Sequence, residues 1–527
     1  MNINEDAKVA AEQSARKKHP KGLYVLFAIE MWERFNYYGM RAILIYFMTQ
    51  ALLFKLDFAS NLYGSYISLL YLTPLVGGYF ADRFWGNKRS IFVGGIVMVI
   101  GELILFICGT IYNTSPGLSN VLFFSGLGLM IAGNGFFKPN ISTLVGQLYP
   151  KGDLRVDPAY TIFYMGINLG AFIGPIACGT VGNTGSPADF KWAFLVAGVG
   201  MIISLIIQRI YHNKLVRDPE GKILGLKPDD LMVDTLNKEA SSHVKPPSSI
   251  WLNPVFTVII MLVFAAISIG ALYLDTQTNY LFYLLGGSFL FIIILIFSDK
   301  NLTKEEQQRI WVMVIIAFFV VFFWGAYEQT GASLAVFGDQ QTNRHLWGDY
   351  VMPPSYFQSF NSAFIIIFAP ILAWLWLKLG KKQPATPTKM GIGLLLLALG
   401  FLWIAYGVKD AATKQVSMIW LTGLYLLHTL GELCLSPIGL SLFNKLSPLR
   451  FASLLMAVWF TGNAGGNKLA GVLSSLYPEG GKTTHFLGYE ISNLYDFFLL
   501  FVFMGGAAGI ILLLLSKKLQ KMMHGIQ

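Results

Sequence analysis

Long apolar runs, separated by short polar stretches, repeat along almost the whole chain. A helix needs roughly 20 mostly apolar residues to cross a lipid bilayer. Fourteen runs reach that length, so the pattern predicts fourteen membrane-spanning helices. The predicted spans are 23–54, 61–81, 90–111, 121–148, 158–181, 191–212, 251–273, 279–298, 307–337, 356–379, 389–408, 417–443, 451–477 and 493–516.

A polar stretch that contains proline and lysine, at 213–250, interrupts this series after the sixth span. Two further spans follow the stretch, and six more complete the chain. Six spans plus six is the layout of major facilitator transporters, in which two bundles rock about a central site. We therefore predict an all-α membrane protein with two six-helix bundles and two additional helices. The predicted parts are a cytoplasmic tail (1–22), the N-terminal bundle (23–212), a cytoplasmic linker (213–250), the extra helices (251–298), the C-terminal bundle (299–516) and a cytoplasmic tail (517–527).

Composition and charge support a membrane protein. Hydrophobic residues make up 54% of the chain and charged residues 13%, whereas soluble domains carry about 25% charged residues. A net charge of +10 would suit a nucleic-acid partner, but its distribution follows the predicted topology. With a cytoplasmic N-terminus, 29 Lys and Arg residues fall in inside segments and 6 in outside loops. This asymmetry predicts that both termini lie in the cytoplasm, and it explains the positive net charge without a nucleic-acid partner.

The first span carries a polar stripe. Glu30, Glu33, Arg34, Tyr37 and Arg41 recur at the spacing of one helix face. A charged side chain at the bilayer centre costs about 2.5–3.5 kcal/mol on insertion scales, and such residues usually serve a function. A static network that only fixes helix packing is the alternative. We favour function because partner charges occur on several distant spans.

These partners have opposite signs in the two predicted bundles. Arg41 and Lys138 belong to the first bundle, and Glu328 and Glu432 belong to the second. A cavity between the bundles would then be positive on one wall and negative on the other. A short peptide, which carries one carboxylate and one amine, matches that polarity. Amino acids and other zwitterions match it as well.

Aromatic rings and amides accompany the charges. Trp324 lies one helical turn before Glu328 and therefore on the same face. For the other rings, ordinary packing or a position at the membrane interface is an alternative, and interhelical hydrogen bonds would equally explain the amides. The candidates are Tyr37, Tyr71, Trp324, Trp459, Asn168 and Asn361.

The stretch 77–89 closes the second span at the predicted cytoplasmic face. Glycines such as Gly78 permit two helices to approach closely. Asp82, together with Arg83 and Arg89, could latch two helices in one conformation. We interpret this stretch as a gating element.

In this order, the motifs resemble the proton-dependent oligopeptide transporter family of the major facilitator superfamily, over nearly the whole chain. The two extra helices are similar to those of bacterial members. The motifs are Glu30-x-x-Glu33-Arg34-Phe35 with Tyr37-Tyr38-Gly39, the stretch from Gly78 to Arg89, Phe136-Phe137-Lys138-Pro139-Asn140, Phe163-Tyr164 with Asn168-Leu169-Gly170, Gly431-Glu432 with Ser436-Pro437, and Trp459-Phe460.

The resemblance implies symport of di- and tripeptides with protons into the cell by alternating access. It implies no cofactor beyond the proton as coupling ion, and a functional monomer in the lipid bilayer. By position, Arg41 and Lys138 would receive the peptide carboxylate, and Glu432 with Asn361 the amine. The pocket would be lined by Tyr37, Tyr71, Asn168, Trp324, Trp459 and Asn463. Proton movement would be coupled by Glu30, Glu33, Arg34, Glu328 and Lys138, with Lys138 and Glu328 able to pair across the bundles.

Four positions depart from the family pattern or stay unassigned. Gly64 stands where animal members carry a histidine, so proton coupling must rest on carboxylates. Asn463 replaces a common serine, which would tighten the pocket. Glu102 is an acid within a span, and Lys468 either neutralises it or reaches the outer interface.

Two other functions remain alternatives. A transporter of the same fold could carry an anion such as nitrate, or an amino acid, but those relatives often lose the acidic pattern that the first span keeps. A membrane enzyme would need a catalytic cluster, and His428 is the only histidine in the interior of a predicted span. We therefore expect a transporter and no enzyme.

Overall fold

The computed structural model describes residues 18–150, 153–226, 253–409 and 414–526. The first part of the predicted N-terminal tail and residues 227–250 of the predicted linker lie outside the described residues. The long helices are α1 (Lys21–Tyr46), α2 (Leu56–Phe80), α3 (Asn87–Ile111), α4 (Pro116–Gln147), α5 (Val156–Gly182), α6 (Phe190–Leu215), α7 (Pro254–Thr278), α8 (Tyr280–Phe297), α9 (Lys304–Tyr327), α10 (Phe357–Leu379), α11 (Thr386–Gly407), α12 (Met418–Leu446), α13 (Ala452–Ser474) and α14 (Leu494–Met522).

Each predicted span has its helix, which confirms the all-α architecture. Eleven helices in the described ranges are long and apolar enough to cross a membrane. The helices that fall short of this test are α1, α2 and α13. They are less apolar because they carry charged and amide side chains, which form the clusters described below.

Contacts group the helices into two compact units. Unit 1 comprises Met1–Met40, Leu72–Gly182 and Ala188–Ala271, and unit 2 comprises Arg41–Tyr71, Asn183–Pro187 and Leu272–Gln527. The helices α1, α2 and α7 contribute residues to both units. These units are defined by contacts, and the boundaries of the two bundles stay a prediction.

A buried aromatic cluster lies in unit 1 where α7, the first extra helix, packs on α3 and α4. Trp85 and Phe136 have ring centroids 5.1 Å apart, and Ala132, Met261 and Ala265 complete the buried group. In a bilayer, whose lipid tails are as apolar as these side chains, such a contact is stabilised by van der Waals packing. The first extra helix is therefore firmly packed onto the helices before it.

The ninth predicted span, 307–337, is not one continuous helix. A capping box at Thr303 begins α9, which ends at Tyr327 and continues as a 3-10 turn, Glu328–Gly331. A short helix, Ser333–Gln340, follows. The interruption places Glu328 at the point where the backbone leaves the α-helix.

Six short strands, all in unit 2, add small paired segments to the helical fold. β1 pairs with β4 in parallel, whereas β2 with β3 and β5 with β6 are antiparallel. The strands are β1 (Thr342–Asn343), β2 (His345–Trp347), β3 (Tyr350–Val351), β4 (Val416–Ser417), β5 (Thr484–Phe486) and β6 (Tyr489–Ile491).

The contact between α2 and α13 in unit 2 depends on two glycines. A Cβ added to Gly64 would lie 2.6 Å from Cα of Gly471, so the helices approach backbone to backbone. We expect Gly64→Ala to lower stability by about 1–3 kcal/mol, the usual cost of overpacking. Thermal unfolding in detergent measures the change. The control is Gly286→Ala in α8, where an added Cβ meets nothing within 4 Å; equal unfolding temperatures for both variants would contradict the prediction.

Candidate functional site

The first polar cluster lies in unit 1 and is built on α1. The Nε of Arg34 lies 3.0 Å from Oε1 of Glu30 and 2.6 Å from Oε2 of Glu33. The three side chains are at most 4% exposed. Their spacing puts them on one face of the helix, as the sequence predicts. One guanidinium therefore serves two buried carboxylates.

Helix α4 supplies the remaining partners of this cluster. The Nδ2 of Asn134 donates to Oε1 of Glu33 at 3.2 Å. Lys138 lies one turn further along α4, on the same face, and interacts electrostatically with both Glu30 and Glu33. The sequence prediction that Lys138 belongs with the α1 carboxylates agrees with this placement.

The formal charges of this cluster balance. Glu30 and Glu33 contribute two negative charges when ionised, and Arg34 and Lys138 contribute two positive ones. A proton taken up by either carboxylate leaves an excess of one positive charge in a buried site. Such an excess is costly away from water unless an anion arrives. The cluster can therefore link proton uptake to the binding of a negative group.

Glu102 forms a separate buried contact in unit 1. The Nδ2 of Asn36 on α1 donates to its Oε1 at 2.8 Å, and the carboxyl group is fully buried. Lys468 takes Asp275 as its counter-ion, and its side chain is fully buried; its depth in the membrane stays a prediction. The role of Glu102 is thus local, as a partner of α1.

The second polar cluster lies in unit 2 and begins with Arg41. Its Nη2 forms an ion pair with Oε2 of Glu328, and its Nε donates to the hydroxyl oxygen of Tyr63 at 2.5 Å. The side chains of Arg41 and Glu328 are 8% and 5% exposed. Gly331 adjoins the Tyr63 hydroxyl, so the 3-10 turn after α9 leaves space for the tyrosine that orients Arg41.

Glu432 on α12 is the second carboxylate of this cluster. Its Oε2 accepts from the Tyr327 hydroxyl at 2.5 Å and from Nδ2 of Asn361 at 3.0 Å. Asn361 also donates to Oγ1 of Thr429 at 3.0 Å. Glu432 thus has neutral hydrogen-bond donors and no ion pair among the described residues. The side chain is half-buried, and its carboxylate is chemically able to pair with a cation.

Glu328 and Glu432 are connected through the end of α9. Tyr327 contacts Glu432, and the next residue, Glu328, contacts Arg41. Glu328 and Glu432 are near enough to interact electrostatically. Unit 2 therefore holds a cation and an uncompensated anion close together, which suits a ligand with both charges.

The remaining predicted pocket residues lie in different surroundings. In unit 2, Trp324 has no acceptor for its Nε1 among the described residues, and its ring lies 5.2 Å from that of Tyr327. Trp459 packs against Phe443, with ring centroids 5.1 Å apart. The other residues are a half-buried Tyr71, a buried Asn463 and, in unit 1, a buried Tyr37 near Arg34 and a buried Asn168 that donates to the Tyr164 carbonyl.

The predicted gating stretch lies in unit 1. Asp82 and Arg83 are exposed, and no ion pair joins Asp82 to a residue that the structure describes. Arg89 donates to the Thr257 hydroxyl on α7. Gly78 has room, because an added Cβ would meet only Pro139 at 3.8 Å. The latch function of these residues stays a prediction.

Sequence reasoning missed three residues that hold the charged groups. Tyr63 precedes the predicted Tyr71 by two turns of α2, Tyr327 directly precedes Glu328, and Asn134 precedes Lys138 by one turn. Each could have been found by asking which neighbours on a charged or aromatic face carry hydrogen-bonding groups. The pairing of Arg41 with Glu328 carries no such signal, and the predicted pair of Lys138 and Glu328 stays a prediction.

Known proteins are similar to this chain in sequence and in fold. A family model described as the POT family matches residues 88–487. The peptide transporter YePEPT of Yersinia enterocolitica is 34% identical over 86% of this chain and 87% of its own. A di-/tripeptide transporter of Lactococcus lactis is 32% identical over 96% of this chain and 97% of its own. A crystal structure of a peptide transporter POT in complex with sulfate superposes with a TM-score of 0.77, at 32% identity over 96% of both chains.

Proposed function

The chain belongs to the POT family, and from this premise we propose that it carries di- and tripeptides into the cell together with protons. The observation that carries the proposal is the arrangement in unit 2. Arg41 offers a cation. Glu432 offers an anion that forms no ion pair among the described residues. A peptide with free termini presents the complementary pair of charges.

The peptide carboxylate competes with Glu328 for Arg41. When the carboxylate binds, the Arg41–Glu328 pair breaks, and Glu328 becomes free to take up a proton. The amine of the peptide takes the place of the Tyr327 hydroxyl or the Asn361 amide as the hydrogen-bond donor to Glu432. Lys138 joins Arg41 as a second cation for the carboxylate, a role supported by its charge and by the family motif around it. Tyr37, Tyr71, Asn168, Trp324, Trp459 and Asn463 are the proposed pocket lining.

The proton is taken up by the α1 cluster as well. Glu30 and Glu33 share Arg34, and protonation of either one leaves excess positive charge that favours the incoming carboxylate. The membrane potential contributes about 2.3 kcal/mol per elementary charge for each 100 mV. Binding of proton and peptide together therefore shifts the population between the outward and inward states.

We further propose a monomer in the bacterial inner membrane with both termini in the cytoplasm. The distribution of lysine and arginine residues supports this orientation. In this orientation the predicted linker (213–250) and the stretch from Gly78 to Arg89 lie on the cytoplasmic side. The relatives named above are transporters, and we propose transport without enzymatic activity or a cofactor.

The test is uptake of a labelled dipeptide into liposomes that contain the purified protein. An inward proton gradient should drive accumulation above the outside concentration, and a proton ionophore should abolish it. Excess unlabelled dipeptide should compete, whereas nitrate should not. Competition by nitrate, or uptake that ignores the proton gradient, would favour another transporter of the same fold.

Capping the peptide amine tests the role of Glu432. An N-acetylated dipeptide loses its cation, so we expect its affinity to fall at least about tenfold, in keeping with the roughly 1.5–3 kcal/mol of a charged hydrogen bond. In Glu432→Gln the free and capped dipeptides should compete almost equally. A full penalty for capping in this variant would place the amine elsewhere.

A further inference from the structure

A polar node surrounds the buried Lys468 in unit 2, outside the proposed peptide and proton sites. The Nζ of Lys468 lies 2.5 Å from Oδ2 of Asp275, and both side chains are fully buried. A charge within a membrane span is costly and usually functional. We call this group the Lys468 node; it consists of Asn61, Ser65, Asp275, Asn279 and Lys468.

The node joins the extra helices to two helices of the predicted bundles. Lys468 on α13 donates to Oδ1 of Asn61 at 2.6 Å and to Oγ of Ser65 at 3.0 Å, both on α2. It also donates to Oδ1 of Asn279 at 2.9 Å, at the turn between α7 and α8. Ser65 in turn lies 2.5 Å from Oδ2 of Asp275 on α7. Asp275 thus provides the negative charge for a lysine that α2 and the turn between α7 and α8 also hold.

The node forms part of a continuous contact between α2 and α13. Gly64, beside Ser65, meets Gly471 backbone to backbone. One turn further, the Ser68 hydroxyl donates to the Ala464 carbonyl at 3.0 Å. Lys468 lies between Ala464 and Gly471 along α13. Any motion that separates α2 from α13 must therefore break the bonds of Lys468 to α2.

We propose that Asp275 is a positioning residue for transport, which acts through Lys468 to set the strength of the contact between α2 and α13. The proposal rests on the proposed alternating access, because α2 and α13 belong to different predicted bundles, which move relative to each other. With Asp275 present, Lys468 has its counter-ion whether or not α2 is in contact. The first extra helix, α7, then contributes to transport through Asp275.

A cysteine at position 68 reports on this contact. Ser68 is fully buried at the contact, so Ser68→Cys should react slowly with a membrane-impermeant maleimide in liposomes. The chain without this substitution is the blank for the three native cysteines, which are buried. Adding Asp275→Asn strands a buried cation, so we expect labelling at least about tenfold faster, because one-sided loss of a buried ion pair is strongly destabilising. The control is Asp299→Asn, which breaks a partly exposed pair with Arg450.

A second substitution separates positioning from general packing. Lys468→Met in the Asp275→Asn background removes the stranded charge and should return labelling to within about threefold of the starting rate, since contacting residues are not additive. Asp275→Glu, which keeps the charge, should stay slow. The affinity for the dipeptide should not change in any of these variants, whereas the rate of dipeptide uptake should change in Asp275→Asn.

The two proposals fail in different ways. Labelling needs no peptide, so faster labelling of Asp275→Asn together with no peptide uptake by the wild type would overturn the proposed function alone. Wild-type labelling of Asp275→Asn would overturn the role of Asp275, and so would a double variant that labels as fast as the single one.

Discussion

Replacing Glu33 by glutamine abolishes uphill dipeptide uptake while exchange of peptide for peptide continues. Glutamine keeps the shape of the side chain and can still bond to Asn134, but it cannot bind and release a proton. The α1 cluster would then permanently carry the positive excess that protonation normally produces. A proton shifts the equilibrium between two conformational states only when it binds one state better than the other. Glutamine at position 33 binds no proton in either state. The proton gradient would therefore no longer drive accumulation of the dipeptide.

Two liposome assays measure this separation. Uptake of labelled dipeptide under an inward proton gradient should stop at the outside concentration, and exchange against internal unlabelled dipeptide should proceed near the wild-type rate. Glu305→Gln is the matched control, because Glu305 pairs with Arg309 at 3.9 Å with its side chain 64% exposed. Accumulation by Glu33→Gln at the wild-type level would show that Glu33 does not couple the proton.

The helices and the first-span charges could be predicted because lipid leaves few options. Apolar runs of bilayer length must form helices, and the stripe of Glu30, Glu33 and Arg34 could not face hydrocarbon. Asn361 and Glu432, which the resemblance assigns to the peptide amine, are joined by a 3.0 Å hydrogen bond, and their role stays a prediction. These features follow from local sequence or from a motif.

Pairings between distant residues could not be predicted. Arg41 and Glu328 are 287 positions apart, and no periodicity states which of several buried acids a given arginine will meet. Asp275 escaped notice because it stands at the end of an otherwise apolar run, and only the fold brings it to Lys468. The break after α9 was missed as well, because a mostly apolar segment resumes at residues 332–337 and masks the change of the backbone at Glu328–Gly331.

The same pairing decides how the peptide carboxylate is received. Removing the guanidinium in Arg41→Ala leaves Glu328 buried without its partner, and breaking a buried pair from one side costs about 3–5 kcal/mol. We therefore expect a large drop in the unfolding temperature as well as loss of peptide binding. The single variant cannot tell these effects apart.

The double variant Arg41→Ala with Glu328→Gln resolves them. The double variant removes both members of the ion pair and strands neither charge, so most of the stability should return, whereas the cation for the peptide carboxylate is still missing. We expect dipeptide affinity to stay at least about tenfold weaker than in the wild type, because charged hydrogen bonds contribute about 1.5–3 kcal/mol each. Arg41→Lys should fall between the two, since lysine keeps the charge but not the fork that bonds Tyr63 and Glu328 together. Wild-type affinity in a stable double variant would mean that Arg41 holds the protein together without touching the peptide.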